Sequence, residues 1–209
     1  MSSPAPRGER GYRNFLTLPT ILGCAREVAD TQGLAAVSMR TLADHLGCTP
    51  RALYRHVAGK DEVLELLADA ALGELLPVRR DVPWPEALVE FFLRMHRLLV
   101  QAPAVAEIVT QLPVAGPNFR AHAEGLVALL LDAGLEPAIA AEAVVALAQL
   151  TLGAAVPGQR LHEAYGPLPP AEEDPRGLGP VRRHFAESAA ARFEPALRRL
   201  VGAYADPRG

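Results

Sequence analysis

The sequence predicts an all-α protein, and three observations support this fold class. The 209-residue chain contains 37 Ala and 31 Leu but only 27 Val, Ile and Thr residues together. Ala and Leu favour helices, whereas β-branched residues favour strands. Apolar residues recur at helical spacing, and Pro, Gly or polar clusters separate the periodic stretches. This balance argues against a β-sandwich, a β-barrel and a doubly wound sheet.

The first four predicted helices have clear start and stop signals. Thr17, Ser38 and Thr49 are expected to cap the first three, and Asp61 with Glu62 opens the fourth, where acidic residues are favourable. Gly or Pro follows each of them. They are expected at residues 18–32, 39–46, 50–56 and 61–75.

The helices after the Pro-broken linker at 77–85 are more apolar. A helix that is apolar nearly all round is buried on more than one side. Residues 1–16 are expected to form a disordered arm, and the Pro- and Gly-rich residues 166–180 a mobile loop. The helices are expected at 86–101, 104–111, 118–133, 137–155 and 181–205.

Several classes of protein are not expected from this sequence. No apolar run is expected to reach the length of a membrane span, and Met1–Arg13 does not resemble a secretory signal, which predicts a cytoplasmic protein without a membrane partner. Cys24 and Cys48 are expected to be buried or inert thiols. No nucleophile–base pair, P-loop, dinucleotide fingerprint or metal-ligand spacing is present, so we expect no enzyme, no metal and no cofactor.

Charge is distributed unevenly along the chain. The net charge is −3, but residues 1–60 carry more basic than acidic side chains and the remainder is acidic. A basic N-terminal part on an acidic body is typical of a DNA-binding domain that precedes a domain with another task.

The stretch Val37–Lys60 predicts a helix-turn-helix. Residues 46–49 join two short helices, and Gly47 can supply the positive φ of a tight turn. At 100° per residue, the second helix places Arg51, Tyr54 and Arg55 on one face and its leucine and valine on the other. Such a helix enters the DNA major groove.

The residue types on that face suit DNA. Arg can form paired hydrogen bonds with guanine, a Tyr hydroxyl can reach phosphate, and a small Ala leaves room for a thymine methyl group. For His56 the alternative is a ring packed at the edge of the core. The candidate DNA-binding residues are Ser38, Arg40, Thr49, Pro50, Arg51, Ala52, Tyr54, Arg55, His56 and Lys60.

Residues 17–76 resemble the DNA-binding domain of the tetracycline-repressor (TetR) family. The resemblance lies in Leu53-Tyr54-Arg55-His56-Val57 and Gly59-Lys60, after Thr41-Leu42-Ala43 and Leu46-Gly47. Residues 150–154, and Arg192-Phe193-Glu194 with Leu197 and Leu200, resemble the family's dimerisation helices. The resemblance implies a homodimeric repressor that leaves a double-stranded DNA operator when a small-molecule inducer binds.

The resemblance also implies a DNA-binding domain at 17–62 and a ligand-binding and dimerisation domain at 63–209. Tetracycline repressors hold magnesium-bound drug through a His and a Glu, where this chain has Leu76 and Pro157. We therefore expect a different, more apolar or aromatic inducer. Candidate ligand-binding residues, each of which could instead be ordinary core or surface, are Phe91, Met95, His96, Gln111, Asn118, Phe119, His122, Leu126, Leu147, Gln149, Leu150 and Thr151.

The dimer interface is expected to combine helices 137–155 and 191–205 of both chains. A stripe of small residues on the first of these helices would allow the two chains to approach closely. It consists of Ala140, Ala141, Val144, Ala148 and Ala155. Two other functions stay open: a small-molecule sensor or carrier that has lost operator binding, and an activator of the same family.

Overall fold

The computed structural model describes residues 16–155 and 189–205. Within those residues all regular structure is helical. The helices are α1 (Leu18–Gln32), α2 (Met39–His45), α3 (Pro50–Leu53), α4 (Lys60–Leu72), α5 (Trp84–Gln101), α6 (Pro103–Gln111), α7 (Pro117–Asp132), α8 (Pro137–Ala155) and α9 (Ala189–Ala205), with a 3-10 turn at Leu34–Ala36. The predicted all-α class is confirmed.

The predicted helix boundaries are close to those observed, and the largest differences, three residues each, are at the ends of α4, which stops at Leu72, and of α3. This helix ends at Leu53, and residues 54–56 form a turn. The 3-10 turn was not predicted, because it is too short to show a helical period. The predicted 166–180 loop, residues 181–188 of the last predicted helix and nearly all of the predicted arm lie outside the described residues.

The chain divides into two compact units. The first contains Met1–Leu72 with Ala102–Pro117, and the second contains Gly73–Gln101 with Asn118–Gly209. By packing, α4 and α6 therefore group with the N-terminal helices. The functional division that we predicted at residue 62 concerns DNA and ligand binding, and it stays a prediction.

The first unit is built around α1. This helix packs against the 3-10 turn, α2, α4 and α6, while α2 packs on α3 and α4 on α6. Thr17 accepts a hydrogen bond from the Thr20 backbone N–H, and Gly33 ends α1 with φ at 84°. Helix α1 buries one apolar stripe at helical spacing, namely Ile21, Cys24, Ala25, Val28 and Ala29.

The second unit has α5, α8 and α9 packed pairwise against one another. Helix α7 contributes Leu126, Leu129 and Leu130 to the buried set. Helix α9 buries Phe193, Leu197 and Val201, which recur every four residues and so lie on one side of the helix. These core positions fix the face that each helix presents within the unit.

Candidate nucleic-acid interface and ligand site

The third helix and the turn after it present the predicted face to solvent. Arg51, Tyr54 and Arg55 are exposed, and Tyr54 keeps 54% of its surface accessible. On the opposite side, Leu53 is fully buried and Val57 is 3% exposed. His56 is also exposed, so the alternative of a ring packed at the core edge is wrong. We call Arg51, Tyr54, Arg55 and His56 the reading face.

The turn before α3 has the geometry that its glycine predicted. Gly47 has φ at 61°, in the left-handed region that favours glycine. The next residue, Cys48, is held against α2, because its N–H donates to the Ala43 carbonyl at 3.0 Å. Ser38 caps α2 as predicted, accepting from the Thr41 N–H at 3.1 Å. These contacts fix α3 relative to α2.

The predicted side-chain cap of α3 is wrong. Thr49 occupies the cap position with extended backbone, but its side chain makes no capping hydrogen bond. Its carbonyl instead accepts from the Ala52 N–H at 2.8 Å. Pro50 presets the first helical φ and has no N–H that needs a partner, so this short helix begins without a hydroxyl cap. Thr49, Pro50 and the nearby Arg40 are all exposed, and Ala52 is half-buried.

Lys60 differs from the other candidate DNA-binding residues. Its side chain is half-buried, and Nζ donates to the Leu34 carbonyl at 3.4 Å. It also lines a cleft of about 310 Å³ in the first unit. We call this the α4–α6 cleft, which is lined by Leu34, Ala35, Lys60, Asp61, Leu64, Glu107, Ile108, Gln111 and Leu112. DNA contact by Lys60 stays a prediction.

The candidate ligand-binding residues form ring contacts in the second unit. Phe91 is buried, and its ring centroid lies 5.3 Å from that of half-buried His122, which joins α5 to α7. Phe91 also meets Phe92 edge-on at 5.5 Å. Leu126 and Leu147 are buried, whereas Met95, Asn118 and Leu150 are half-buried. The structure thus brings α5 and α7 candidates together.

His96 is the most unusual polar residue of this unit. It is 7% exposed, and its ring stacks on that of Phe193 with centroids 4.3 Å apart and planes 16° apart. Nε2 is buried without a hydrogen-bond partner in the described part of the chain. Burial lowers the pKa of His96, and a backbone hydrogen bond with Ala154 opposes that shift. Because Phe193 lies 97 positions away in the sequence, local spacing could not reveal this ring contact.

Other candidates are placed less favourably for a shared pocket. Gln111 belongs to the first unit, is exposed, and donates to the Glu107 carboxylate at 3.0 Å. Gln149 is exposed, and Phe119 keeps 44% of its surface accessible. Thr151 is fully buried, but its hydroxyl already donates to the Leu147 carbonyl at 2.7 Å.

Helix α8 carries an apolar stripe that its own unit does not fully cover. Ala140 and Ala155 of the predicted small-residue stripe are buried within the unit, so the predicted composition of that stripe was partly wrong. A different set is exposed or half-buried and alternates by three and four residues, the spacing of helices that pair. This α8 stripe consists of Ala138, Ala141, Val145, Ala148 and Leu152.

Helix α8 also passes a composition test for membrane spans. An 18-residue window has a mean hydropathy of 1.7, and a third of the window is buried. The prediction that no apolar run reaches membrane-spanning length was therefore wrong for α8, in which Glu142 is the only charged residue. One such helix is weak evidence, since core helices of soluble proteins pass the same test.

Two further kinds of candidate chemistry concern the cysteines and the metal-ligating side chains. Cys24 and Cys48 are free, and burial raises the pKa of both thiols. A thiol with a raised pKa is a poor nucleophile at neutral pH, as the sequence predicted. In the described residues no group of three His, Cys, Asp or Glu side chains could hold a metal ion.

Family models match both parts of the chain. The model for bacterial regulatory proteins of the tetR family matches residues 21–67, and the tetracyclin repressor-like C-terminal domain matches residues 76–201. A Saccharopolyspora erythraea "HTH-type transcriptional regulator" is 35% identical over 149 residues, covering 71% of this chain and 63% of the relative.

A second relative and a solved structure agree with those matches. The "HTH-type transcriptional repressor DrrR1" of Streptomyces coeruleorubidus is 30% identical, covering 71% of this chain and 56% of the relative. The chain thus matches less than two thirds of either relative's length. The Streptomyces coelicolor TetR family protein ActR, solved in complex with actinorhodin, is 26% identical with a TM-score of 0.80, covering 93% of this chain and 98% of ActR.

Proposed function

Because the chain belongs to the TetR family of bacterial regulatory proteins, we propose that it is a ligand-responsive transcriptional repressor. It binds a pseudo-palindromic double-stranded DNA operator as a homodimer in the cytoplasm and leaves that operator when a small apolar or aromatic inducer binds. Its relatives are transcriptional regulators and not enzymes. One relative is named a repressor, which favours repression over activation.

The single observation that carries DNA binding is the reading face. Two guanidinium groups, a phenol and an imidazole stand exposed on α3 and the turn that follows it, and fully buried Leu53 anchors the end of the helix. An exposed face of this composition has hydrogen-bond donors for guanine and phosphate and lacks acidic side chains. Arg40 and Ser38 flank it at the start of α2.

The homodimer rests on the α8 stripe. Val145 keeps 54% of its surface accessible, although it lies in the middle of a 19-residue apolar helix. A contiguous exposed apolar surface marks an interaction site in a soluble protein. A second copy would cover the stripe with the same stripe, as a twofold interface requires.

The inducer site is proposed for the second unit. ActR was solved with a bound small molecule in a chain of the same fold, and it covers nearly all of this chain. Here α5 and α7 join through Phe91 and His122, and α5 joins α9 through His96 and Phe193. A ligand that binds more tightly to a conformation unable to hold DNA would shift the population away from the operator.

DNA binding is tested by gel mobility shift with the promoter upstream of the protein's own gene. We expect a shift that survives excess random-sequence competitor and is lost in high salt, because counterion release weakens phosphate contacts. Absence of any shift that outlasts competitor would favour the alternative of a sensor or carrier without operator binding.

A further inference from the structure

The α4–α6 cleft is a cavity that neither the reading face nor the proposed inducer site uses. Its volume of about 310 Å³ is at the lower end of the range for small-molecule sites. All of its lining residues belong to the first unit, whereas the inducer site is proposed for the second unit. A molecule bound in the cleft would therefore occupy a different site from the inducer.

The floor of the cleft is apolar. Helices α4 and α6, which pack against each other, contribute Leu64 and Ile108, and the 3-10 turn contributes Leu34. All three side chains are buried. Small-molecule sites commonly combine such an apolar surface with a few polar groups that orient the ligand. The floor can thus accept the apolar part of a small molecule.

The rim of the cleft carries charges of both signs. Lys60 and Leu64 are four residues apart on α4, a spacing that places them on the same side of the helix. The carboxylate of Glu107, on α6, is exposed and accepts from the Gln111 side chain at 3.0 Å. Asp61, next to Lys60, is also exposed. An ammonium group from α4 and a carboxylate from α6 therefore line one cavity.

The ammonium group of Lys60 has donors to spare. It has three N–H donors, and its one acceptor among the described residues is the Leu34 carbonyl, at 3.4 Å. This distance exceeds the usual value of about 2.9–3.0 Å, and the same carbonyl accepts from the Val37 N–H at 3.2 Å. A carboxylate would be a stronger acceptor for Lys60, because a hydrogen bond between two charged groups is stronger than one to a carbonyl.

A ligand with a single charge would fit this rim poorly. An anion would meet the carboxylates of Asp61 and Glu107, and a cation would meet the ammonium group of Lys60. We propose that the α4–α6 cleft is a second small-molecule site, and that its ligand class is a zwitterion with an apolar side chain, the chemistry of an aliphatic α-amino acid. The ligand carboxylate pairs with Lys60, its ammonium group pairs with Glu107, and its side chain lies on the apolar floor.

The test compares three probes that share one aliphatic group. Leucine is the zwitterion, leucinamide keeps only the positive charge, and 4-methylpentanoate keeps only the negative charge. The chain has three isoleucines, so a methyl NMR spectrum of full-length protein with ¹³C-labelled isoleucine contains one reporter in the cleft, Ile108, and two outside it, Ile21 and Ile139.

We expect leucine to shift the Ile108 methyl signal with a dissociation constant on the order of 1 mM, an affinity within reach of a ligand of this size. Leucinamide and 4-methylpentanoate should each bind about tenfold more weakly, because each lacks one of the two ion pairs. The proposal is overturned by equal affinities of the three probes, by a shift confined to Ile21 or Ile139, or by no shift of Ile108 up to the solubility limit of leucine.

Two variants assign the two charges of the ligand. Lys60→Met should reduce the advantage of leucine over leucinamide to below about twofold, while the advantage over 4-methylpentanoate persists. Glu107→Gln should have the opposite effect, and its amide oxygen can still accept from Gln111. Glu27→Gln, at an exposed glutamate of α1 in the same unit, should keep both advantages. An unchanged Ile21 signal checks folding, and a cleft variant that keeps both preferences contradicts the proposal.

Occupation of the cleft also bears on DNA binding, a consequence that rests on the proposed function. Since Lys60 is a candidate DNA contact, a bound carboxylate would compete with DNA phosphate for its ammonium group. Saturating leucine should then reduce the salt dependence of operator binding by about 0.9 per chain, and should have no such effect in Lys60→Met. An Ile108 shift with unchanged operator binding excludes only the DNA contact of Lys60, whereas a missing shift with intact operator binding refutes the cleft site and leaves the proposed function standing.

Discussion

In the proposed function, Arg51 and Tyr54 are the single residues on which sequence-specific binding depends most directly. Replacing either by Ala should weaken operator binding by about 10- to 100-fold, because an Arg–guanine pair contributes about 1–3 kcal/mol of discrimination. Both side chains are exposed, so the fold should survive. Fluorescence anisotropy with labelled operator measures the affinity, and circular dichroism checks folding.

The matched control is Arg26→Ala. Arg26 is an exposed arginine of the same unit, but it lies on α1, where it pairs with Asp30 at 3.8 Å. Its removal should change operator affinity less than twofold, since exposed ion pairs contribute little. If Arg51→Ala and Arg26→Ala weaken binding equally, the arginines act only through overall charge and the reading face is misassigned.

Gly116 and Gly23 should respond oppositely to the same substitution. A Cβ on Gly116 would collide with the carboxylate of Asp69, which is 4% exposed, so Gly116→Ala should lower the free energy of unfolding by about 1–3 kcal/mol. Gly23 lies in α1 with open space around it, so Gly23→Ala should raise that free energy by about 0.5–1 kcal/mol. Urea denaturation measures both, and a stabilised Gly116→Ala protein would contradict the packing at Asp69.

The reading face was predictable residue by residue because exposed and buried side chains alternate with nearly helical spacing through α3 and the turn after it. Leu53 and Val57 are buried, and Arg51 and Tyr54 exposed, as 100° per residue requires. Partners distant in sequence were not predictable. The hydrogen bond from Lys60 to the Leu34 carbonyl spans 26 positions. From the sequence, Lys60 was therefore predicted only as a cation that could contact DNA.

At the scale of helices, starts and ends were predicted well where Gly, Pro or a capping side chain sets them. Gly33 and Gly47 take positive φ at the predicted ends of α1 and α2. The end of α3 was missed because no Gly or Pro directly follows Leu53. The sequence also could not show which face of α8 packs inside the unit, because this helix is apolar nearly all round.

The buried ring of His96, where α5, α8 and α9 pack together, should make the free energy of unfolding depend on pH. The pKa of His96 is lower in the folded protein than its ordinary 6.5, so the unfolded chain takes up the proton more readily. The neutral His96 ring makes its full contribution to the free energy of unfolding above pH 6.5. That contribution is lost as the pH falls through the lower pKa of the folded protein. Wild-type protein should therefore lose more stability than His96→Leu as the pH falls below about 6.5. Parallel curves from urea denaturation would show that the ring is not held neutral.

The α8 stripe should determine the oligomeric state. Val145→Glu would bury an unpaired carboxylate at the twofold interface, which costs several kcal/mol, so the dimer should dissociate. Light scattering after gel filtration should then give the 22.3 kDa of one chain. Ala121→Glu, an equal change at an exposed alanine of α7, should leave the dimer intact. A dimeric Val145→Glu protein would place the interface elsewhere.

At the scale of the whole molecule, charge and symmetry act together. The chain is acidic overall, at −3, so its attraction to DNA must come from the basic first 60 residues. One copy offers a single reading face on the four-residue α3 and the turn after it, which is a small contact area. Two copies double the phosphate contacts and impose a fixed half-site spacing, which makes a palindromic operator the natural target.

The salt dependence of DNA binding indicates how many copies of the chain contact the operator. The logarithm of the association constant falls with the logarithm of salt concentration by about 0.9 for each phosphate neutralised. A dimer that uses both reading faces should show about twice the slope of the monomeric Val145→Glu variant on the same operator duplex. Anisotropy titrations between about 50 and 200 mM salt give both slopes. The Ala121→Glu protein should keep the steeper slope, because its added charge leaves the dimer whole. Equal slopes for wild type and Val145→Glu would mean that only one face meets DNA, and a flat response would exclude a phosphate-anchored interface altogether.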